Sequence, residues 1–474
     1  MSLKTIVSGS LLFFALSVQA KVVLPSYYGD HMVLQQGATT TIYGKANSNK
    51  EVTLYTSWDN KKYATKSNKE GSFSIAIEIP KLDTKNSFSM RFSDGEILEL
   101  KDVLLGELWL CSGQSNMEMP VKGFTGQPVF GSHPYIVKAK ENRPIRMFTV
   151  KRAWDKELRY NVEGRWQLHS SEVVGEFSAA GYFFGDLVQE ILDVPVGLIN
   201  CSWSASKIEA WMPKNTLENI EGVDLSILKE SEFGYPNGTP TLLFNAMINP
   251  LKGLAIKGLL WYQGESNSEN PAMYKKLFPA FVNDIRTFFG DQNLPVYAVQ
   301  IAPFKSHDKD QINLALFRQT QLELMRDVSN TGMVITTDLG SEEFIHPPRK
   351  IEVGQRLAYW ALAKTYGKQG FVYSGPIFSD YKRKDSTVEI SFRYGDEGLN
   401  PEKGFVEGFE IAGSDNVFVP AKAQIIDATN RVKVWSEEVK DPKEIRYCFR
   451  NYMEGTLTNN AGLPASPFRI EIIK

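Results

Sequence analysis

The sequence predicts an α/β protein, with a parallel sheet covered by helices on both faces and set between two β modules. Three observations carry that expectation. Residues 21 to about 100 read as short strands of alternating polarity, punctuated by turn-formers. From about Val103 to Tyr366, apolar strands alternate with amphipathic helices. From about Gly370 the short strands return. Regular strand–helix alternation implies helical crossovers, and hence a parallel sheet buried on both sides. The expected division is a β module over 21–101, an α/β domain over 102–369 and a second β module over 370–474.

Each element has its own signal. Thr39–Tyr43, Glu51–Tyr55, Phe73–Ile77 and Phe88–Phe92 alternate with period two, separated by Asn47-Ser48-Asn49, Glu70-Gly71 and Asp94-Gly95. The apolar run Glu107–Cys111 reads as the first strand of the α/β region. Ala180, Phe184, Leu187 and Ile191 share one helical face. Pro195–Ile199 and Gly258–Tyr262 read as buried strands. A second helix carries Leu277, Phe281, Ile285 and Phe288, and the strand Val296–Ile301 follows. Helices are expected over 314–325 and 350–366, with the strand Met333–Thr337 between them. Thr387–Phe392 and Arg431–Trp435 belong to the last module.

Composition narrows the class. With 42% hydrophobic and 23% charged residues the chain is neither disordered nor collagen-like. A net charge of −2 without a basic run argues against a nucleic-acid binder. Lys4, the mostly apolar stretch Ile6–Val18 and the small residues of Val18-Gln19-Ala20 read as a secretory signal over 1–20. The apolar stretch is shorter than the ~20 residues that span a bilayer. The expected product is therefore exported, periplasmic or extracellular, without stable membrane insertion. Cys111, Cys201 and Cys448 are odd in number and suggest small buried hydrophobes rather than a disulfide framework. The histidines, at 31, 133, 169, 307 and 346, form no metal-binding spacing, and no phosphate-cradling glycine motif occurs. No metal or organic cofactor is expected.

Ligands of open parallel sheets bind beyond the carboxyl ends of the strands. Three polar clusters fall there: Ser112–Asn116, Gln263–Asn267 and Asp338–His346. Gly113-Gln114-Ser115-Asn116 puts a hydroxyl on a tight turn with backbone N–H groups nearby, as a serine nucleophile with an oxyanion site would need. The spacing is not the GxSxG elbow, because Gln114 separates Gly113 from Ser115. A serine nucleophile needs a base, and His346, after the last α/β strand, is the best placed of the histidines. Trp203, Trp211 and Trp261 lie in strand-end apolar runs and read as packing rather than sugar-stacking residues. Asn200-Cys201-Ser202 and Asn237-Gly238-Thr239 match the glycosylation sequon.

The segment Gly106–Met117 resembles the first block of the sialate O-acetylesterase family, within the SGNH-hydrolase superfamily. Further matching segments are Asp30–Gln36, Ile208–Met212, Trp261–Asn267, Ile345–Pro347 and Gly462–Arg469, in order along nearly the whole chain. The resemblance implies a three-layer SGNH-type α/β/α hydrolase domain and removal of acetyl groups from sugars. It makes Ser115 the nucleophile and His346 the base. The oxyanion donors would be the Ser115 N–H, an N–H near Ser204-Ala205 and the Gln263 amide. Asn116, in the nucleophile block, is expected among the oxyanion and substrate-binding residues, and Glu265 beside it as a support. This chain departs from the family's pattern in two places. The family often carries Gly-Gly where Ser204-Ala205 follow Trp203 here, so a backbone donor survives only if the local φ/ψ suits residues with a Cβ. Relatives commonly place Asp three residues before the base, where this chain has Glu343. Glu343, Asp338 or a backbone carbonyl could orient His346.

The function expected is an exported serine carbohydrate O-acetylesterase working through an acetyl-serine intermediate. Alternatives are an acetyl xylan or mannan esterase, a lipid or thioester hydrolase, and a glycan-binding protein with a degenerate site. An acetylated glycan is the expected partner, while the sugar and the oligomeric state are not legible.

Overall fold

The computed structural model describes residues 22–401, 405–426 and 429–473. The expected signal segment, 1–20, lies outside the described residues. The centre is a largely parallel sheet built from β1 (Ile97–Gly113), β2 (Ile145–Thr149), β3 (Val196–Ser202), β4 (Gly258–Tyr262), β5 (Val296–Val299) and β6 (Thr331–Val334). Its order is β6-β5-β4-β1-β3-β2, closed by the short antiparallel strand Trp166–Gln167. The chain fills one side of β1 first and the other side afterwards. β1 is therefore flanked by both halves at the point where the order reverses, the place where such sheets bind ligands.

Alternate side chains of β1 serve opposite faces, as strand geometry requires. Leu108 and Leu110 join a core with Trp261, Phe281 and Phe317, under α3 (Pro271–Phe289) and α4 (Asn313–Asp327). Trp109 and Cys111 join the other core with Phe184 and Leu357, from α2 (Ala179–Leu192) and α5 (Lys350–Lys364). The expected helices over 180–191, 277–288, 314–325 and 350–366 are thus present within a few residues. Ile191 is an exception to its predicted face. It is 47% exposed, because the last turn of α2 runs past the sheet before ending at Asp193 in the left-handed region. Cys111, Cys201 and Cys448 are all buried and free.

The change of pattern near Val103 turns out not to separate two bodies. β1 begins by pairing antiparallel with Phe88–Ser93 and ends by pairing parallel with β3 and β4. Its burial alternates at first and is continuous from Val103 onward. A strand half-buried in one sheet and fully buried in the next produces that signature. The division at 101/102 therefore falls inside one strand, and Ile42, Leu54 and Phe92 share a core with Leu108 and Trp261. Among the described residues the C-terminal strands form two four-stranded antiparallel sheets and one two-stranded one, with their own core including Val388, Ile411 and Phe468. Among the described residues no helix is long and apolar enough to cross a membrane.

Candidate functional site

Register delivers the first half of the site. Gly113, the last residue of β1, lies level with Ser202 of β3 and Tyr262 of β4. Three loops therefore leave the sheet side by side, carrying Ser115, Ser204-Ala205 and Gln263–Glu265. Gly113 has φ +140°, and a Cβ there would lie 2.1 Å from the Tyr262 carbonyl oxygen, so the turn admits only glycine. The Trp203 N–H donates to the Gly113 carbonyl at 3.1 Å, tying the β3 loop to the turn that carries Ser115. Ser115 opens the single-turn helix α1 (Ser115–Glu118). Among the described residues neither its N–H nor that of Ala205 has a hydrogen-bond partner. Ala205 has φ +55° and is exposed, so an L-residue occupies a left-handed position that glycine adopts more readily. That conformation costs roughly 1–2 kcal/mol.

His346 arrives from the far edge of the sheet, on the loop between β6 and α5. Its Nδ1 is 2.6 Å from the Gln127 side-chain oxygen, and its ring packs edge-on against Phe124. An amide oxygen only accepts, so Nδ1 carries the proton and Nε2 keeps its lone pair. Burial, and then the charge of Lys350, holds the imidazole pKa down at about 4, which leaves the ring neutral at pH 7.

A buried polar tie connects the two halves. Asn116, fully buried, donates through Nδ2 to Glu265 Oε1 at 2.6 Å and to the Ile345 carbonyl at 3.2 Å. Its oxygen accepts from Lys350 Nζ, which is also fully buried and lies 5.0 Å from the centre of the Tyr262 ring. Burial lowers the Lys350 pKa to about 7 against the opposing pull of Glu265, and burial raises that of Glu265. Asn116 therefore joins the nucleophile helix, the β4 loop and the residue preceding His346.

Four expected roles meet a different geometry. Asn116 is a structural tie rather than a group facing substrate, because both ends of its amide are occupied within the protein. Gln263 is fully buried and both of its N–H groups are used, on the Ser206 carbonyl at 3.1 Å and Asn267 Oδ1 at 2.7 Å. It braces the β3 loop instead of offering an oxyanion donor. Glu343 is exposed and does not meet His346, whose Nδ1 partner is Gln127. Asp338 is held by a two-pronged pair with Arg356, at 2.7 and 2.6 Å, and faces that guanidinium. Neither carboxylate orients the imidazole here. Ser204 uses its N–H on Glu118, leaving Ala205 as the donor of that loop. Glu265 accepts from Asn116 as a support would.

The other histidines lie outside the site: His31 pairs with Asp102 at 2.7 Å, and buried His169 stacks on Tyr182. Trp211 and Trp261 are buried, whereas half-buried Trp203 lies under the Arg152 guanidinium. Asn200 is buried, and Asn237 donates to the Ser204 carbonyl at 2.6 Å. Sequence reading missed Gln127, Lys350 and Glu118. Gln127 stands in an aperiodic loop with no motif, and Lys350 looks like an ordinary helix-start cation. Glu118, three residues beyond Ser115 and immediately after the matched segment Gly106–Met117, carried the only available hint.

Residues 105–363 match the model of a carbohydrate esterase family described as sialic acid-specific acetylesterase. The sialate O-acetylesterase of Mus musculus is 26% identical over 452 residues, 82% of this chain and 81% of that one. The Homo sapiens sialate O-acetylesterase is 31% identical over 309 residues, 59% of this chain and 57% of its own. A carbohydrate acetylesterase from Xanthomonas citri superposes with a TM-score of 0.86 at 31% identity, over 95% of this chain and all of that one.

Proposed function

The chain belongs to the sialic acid-specific acetylesterase family of carbohydrate esterases, and from that premise we propose an exported serine O-acetylesterase acting through an acetyl-Ser115 intermediate. The observation that carries the mechanism is the Asn116 tie from the Ser115 helix to the residue before a neutral His346, whose Nε2 lone pair is free, beside the unpartnered N–H groups of Ser115 and Ala205. Ser115 Oγ attacks the acetyl carbonyl carbon while His346 Nε2 takes the hydroxyl proton. Negative charge develops on the former carbonyl oxygen, where the two N–H groups stabilise it; one such donor is typically worth ~100- to 1,000-fold in rate. The tetrahedral intermediate collapses, His346 returns the proton to the sugar oxygen, and the sugar leaves. Water, deprotonated by the same nitrogen, then releases acetate. Gln127 fixes the tautomer but, being uncharged, supplies no counter-ion for the imidazolium.

The substrate class is an O-acetylated sugar of the sialate type. One observation favours a neutral acetylated glycan such as xylan or mannan. The Arg152 guanidinium beside Trp203 is already paired with Glu118, so a sialate carboxylate would have to compete for it. Acetate release from an O-acetylated sialoside and from acetylated xylan separates the two. The mechanism is tested on a chromogenic acetyl ester with the mature chain and Ser115→Ala. The variant is expected to fall at least ~10,000-fold, as loss of a serine nucleophile does elsewhere. Equal rates in both would remove Ser115 from the mechanism. Export predicts a mature protein whose N-terminus is Lys21.

A further inference from the structure

Ala205 occupies a backbone conformation natural to glycine, and the surrounding side chains hold it there. The Ser204 N–H and hydroxyl both donate to Glu118 Oε2, the N–H at 2.8 Å. Glu118 Oε1 is in turn gripped by Arg152. On the next peptide, Asn237 Nδ2 donates to the Ser204 carbonyl at 2.6 Å. On the one after that, the Tyr235 hydroxyl donates to the Ala205 carbonyl. A trans peptide points its C=O and N–H in opposite directions. Pinning the Ser204 carbonyl on Asn237 therefore also aims the Ala205 N–H.

From this arrangement we infer that Glu118 is a positioning residue that, with Asn237 and Tyr235, holds the Ala205 N–H in its donor orientation and so replaces the conformational freedom of a Gly-Gly pair. The inference rests on the serine-esterase reading and deepens it. Glu118 lies on the same helical turn as Ser115, so one short segment carries the nucleophile and clamps the donor it needs. Because these side chains touch backbone and not substrate, their loss should act on turnover more than on binding.

The test is kcat and KM for p-nitrophenyl acetate in the mature protein, with thermal unfolding of each variant in parallel. Glu118→Ala is expected to lower kcat ~10- to 100-fold, part of what losing an oxyanion donor costs, with KM within about threefold. Glu118→Gln keeps an oxygen facing Ser204 and should recover most of the loss. Asn237→Ala, which releases the adjoining peptide that carries the Ala205 N–H, should show the same kcat-selective fall. Ala205→Gly alone should change kcat by less than about threefold, yet raise kcat at least ~5-fold in the Glu118→Ala background, since glycine adopts the conformation without help. A Glu118→Ala kcat within threefold of the parent would overturn the inference. So would failure of glycine to rescue, which would mark Glu118 as merely structural. Ser115→Ala separates the two levels. At background rates it leaves the serine reading standing whatever Glu118 does, and at parental rates it removes both.

Discussion

The two halves of the site are held by different physics. On the nucleophile side, Ser115, Ala205 and Glu265 sit on loops leaving adjacent strands at one level, so backbone ladder bonds set their spacing. On the base side, His346 hangs from a loop at the sheet edge. It is tied to the nucleophile half through Asn116 to the Ile345 carbonyl, and nearby through the Phe130 N–H to the Pro348 carbonyl at 2.9 Å. In the first half many parallel backbone bonds share the task of spacing the loops. The second depends on a few polar contacts, partly or fully buried around His346 and Asn116, where each partner matters singly.

That contrast breaks or sharpens with a few substitutions. Lys350→Met removes the donor that fixes the Asn116 oxygen, and should lower kcat ~100-fold, within the range that positioned acid–base groups contribute. It should also shift the acid limb. With the neutral His346 imidazole as the proposed base, activity should fall as pH drops through its pKa, about 4 in the parent. Without the Lys350 charge that limb should move upward, yet stay below 6.5 because burial is the larger cause. An unmoved limb and unchanged kcat would show that the buried tie is dispensable. Gln127→Ala should cost ~10-fold in kcat/KM, since an amide orients the ring without stabilising its charge. A loss as deep as that of Ser115→Ala would mean that Gln127 does more than orient. The smallest effects on activity belong to the carboxylates. Glu343→Gln should leave kcat/KM within twofold. Asp338→Ala should lose about 3 kcal/mol in denaturant unfolding, by stranding the Arg356 charge, with kcat/KM of the folded fraction within about threefold. A large activity loss at Glu343 would reinstate it as the partner of His346.

Much of this was legible beforehand where period and motif agree. The helices near 180–191, 277–288, 314–325 and 350–366 and the strand Gly258–Tyr262 follow from apolar spacing, as do the glycine turn that carries Ser115 and the strand-end loop that carries His346, whose catalytic roles are proposed. The roles that failed were those a motif assigns to a residue without saying where its side chain points. Gln263 and Asn116 carry suitable amides, but buried neighbours already use them. Glu343 has the right spacing to His346, yet the loop turns its side chain to solvent. The orienting oxygen came instead from Gln127, more than 200 positions away in the chain. No local pattern encodes that meeting, because tertiary packing of two aperiodic loops creates it.

The long strand β1 has a consequence for how this enzyme can be taken apart. The same 17-residue strand that is edged into the N-terminal sheet ends at the glycine before the nucleophile turn. A gene fragment starting at residue 102 would open in mid-strand, with the Phe88–Ser93 pairing gone and the core that Leu108 shares with Ile42, Leu54 and Phe92 cut open. The catalytic half is thus not a portable cassette. Fusions, swaps and shortened expression clones have to carry residues 22–101 with it, and homologous recombination between relatives should respect the same seam.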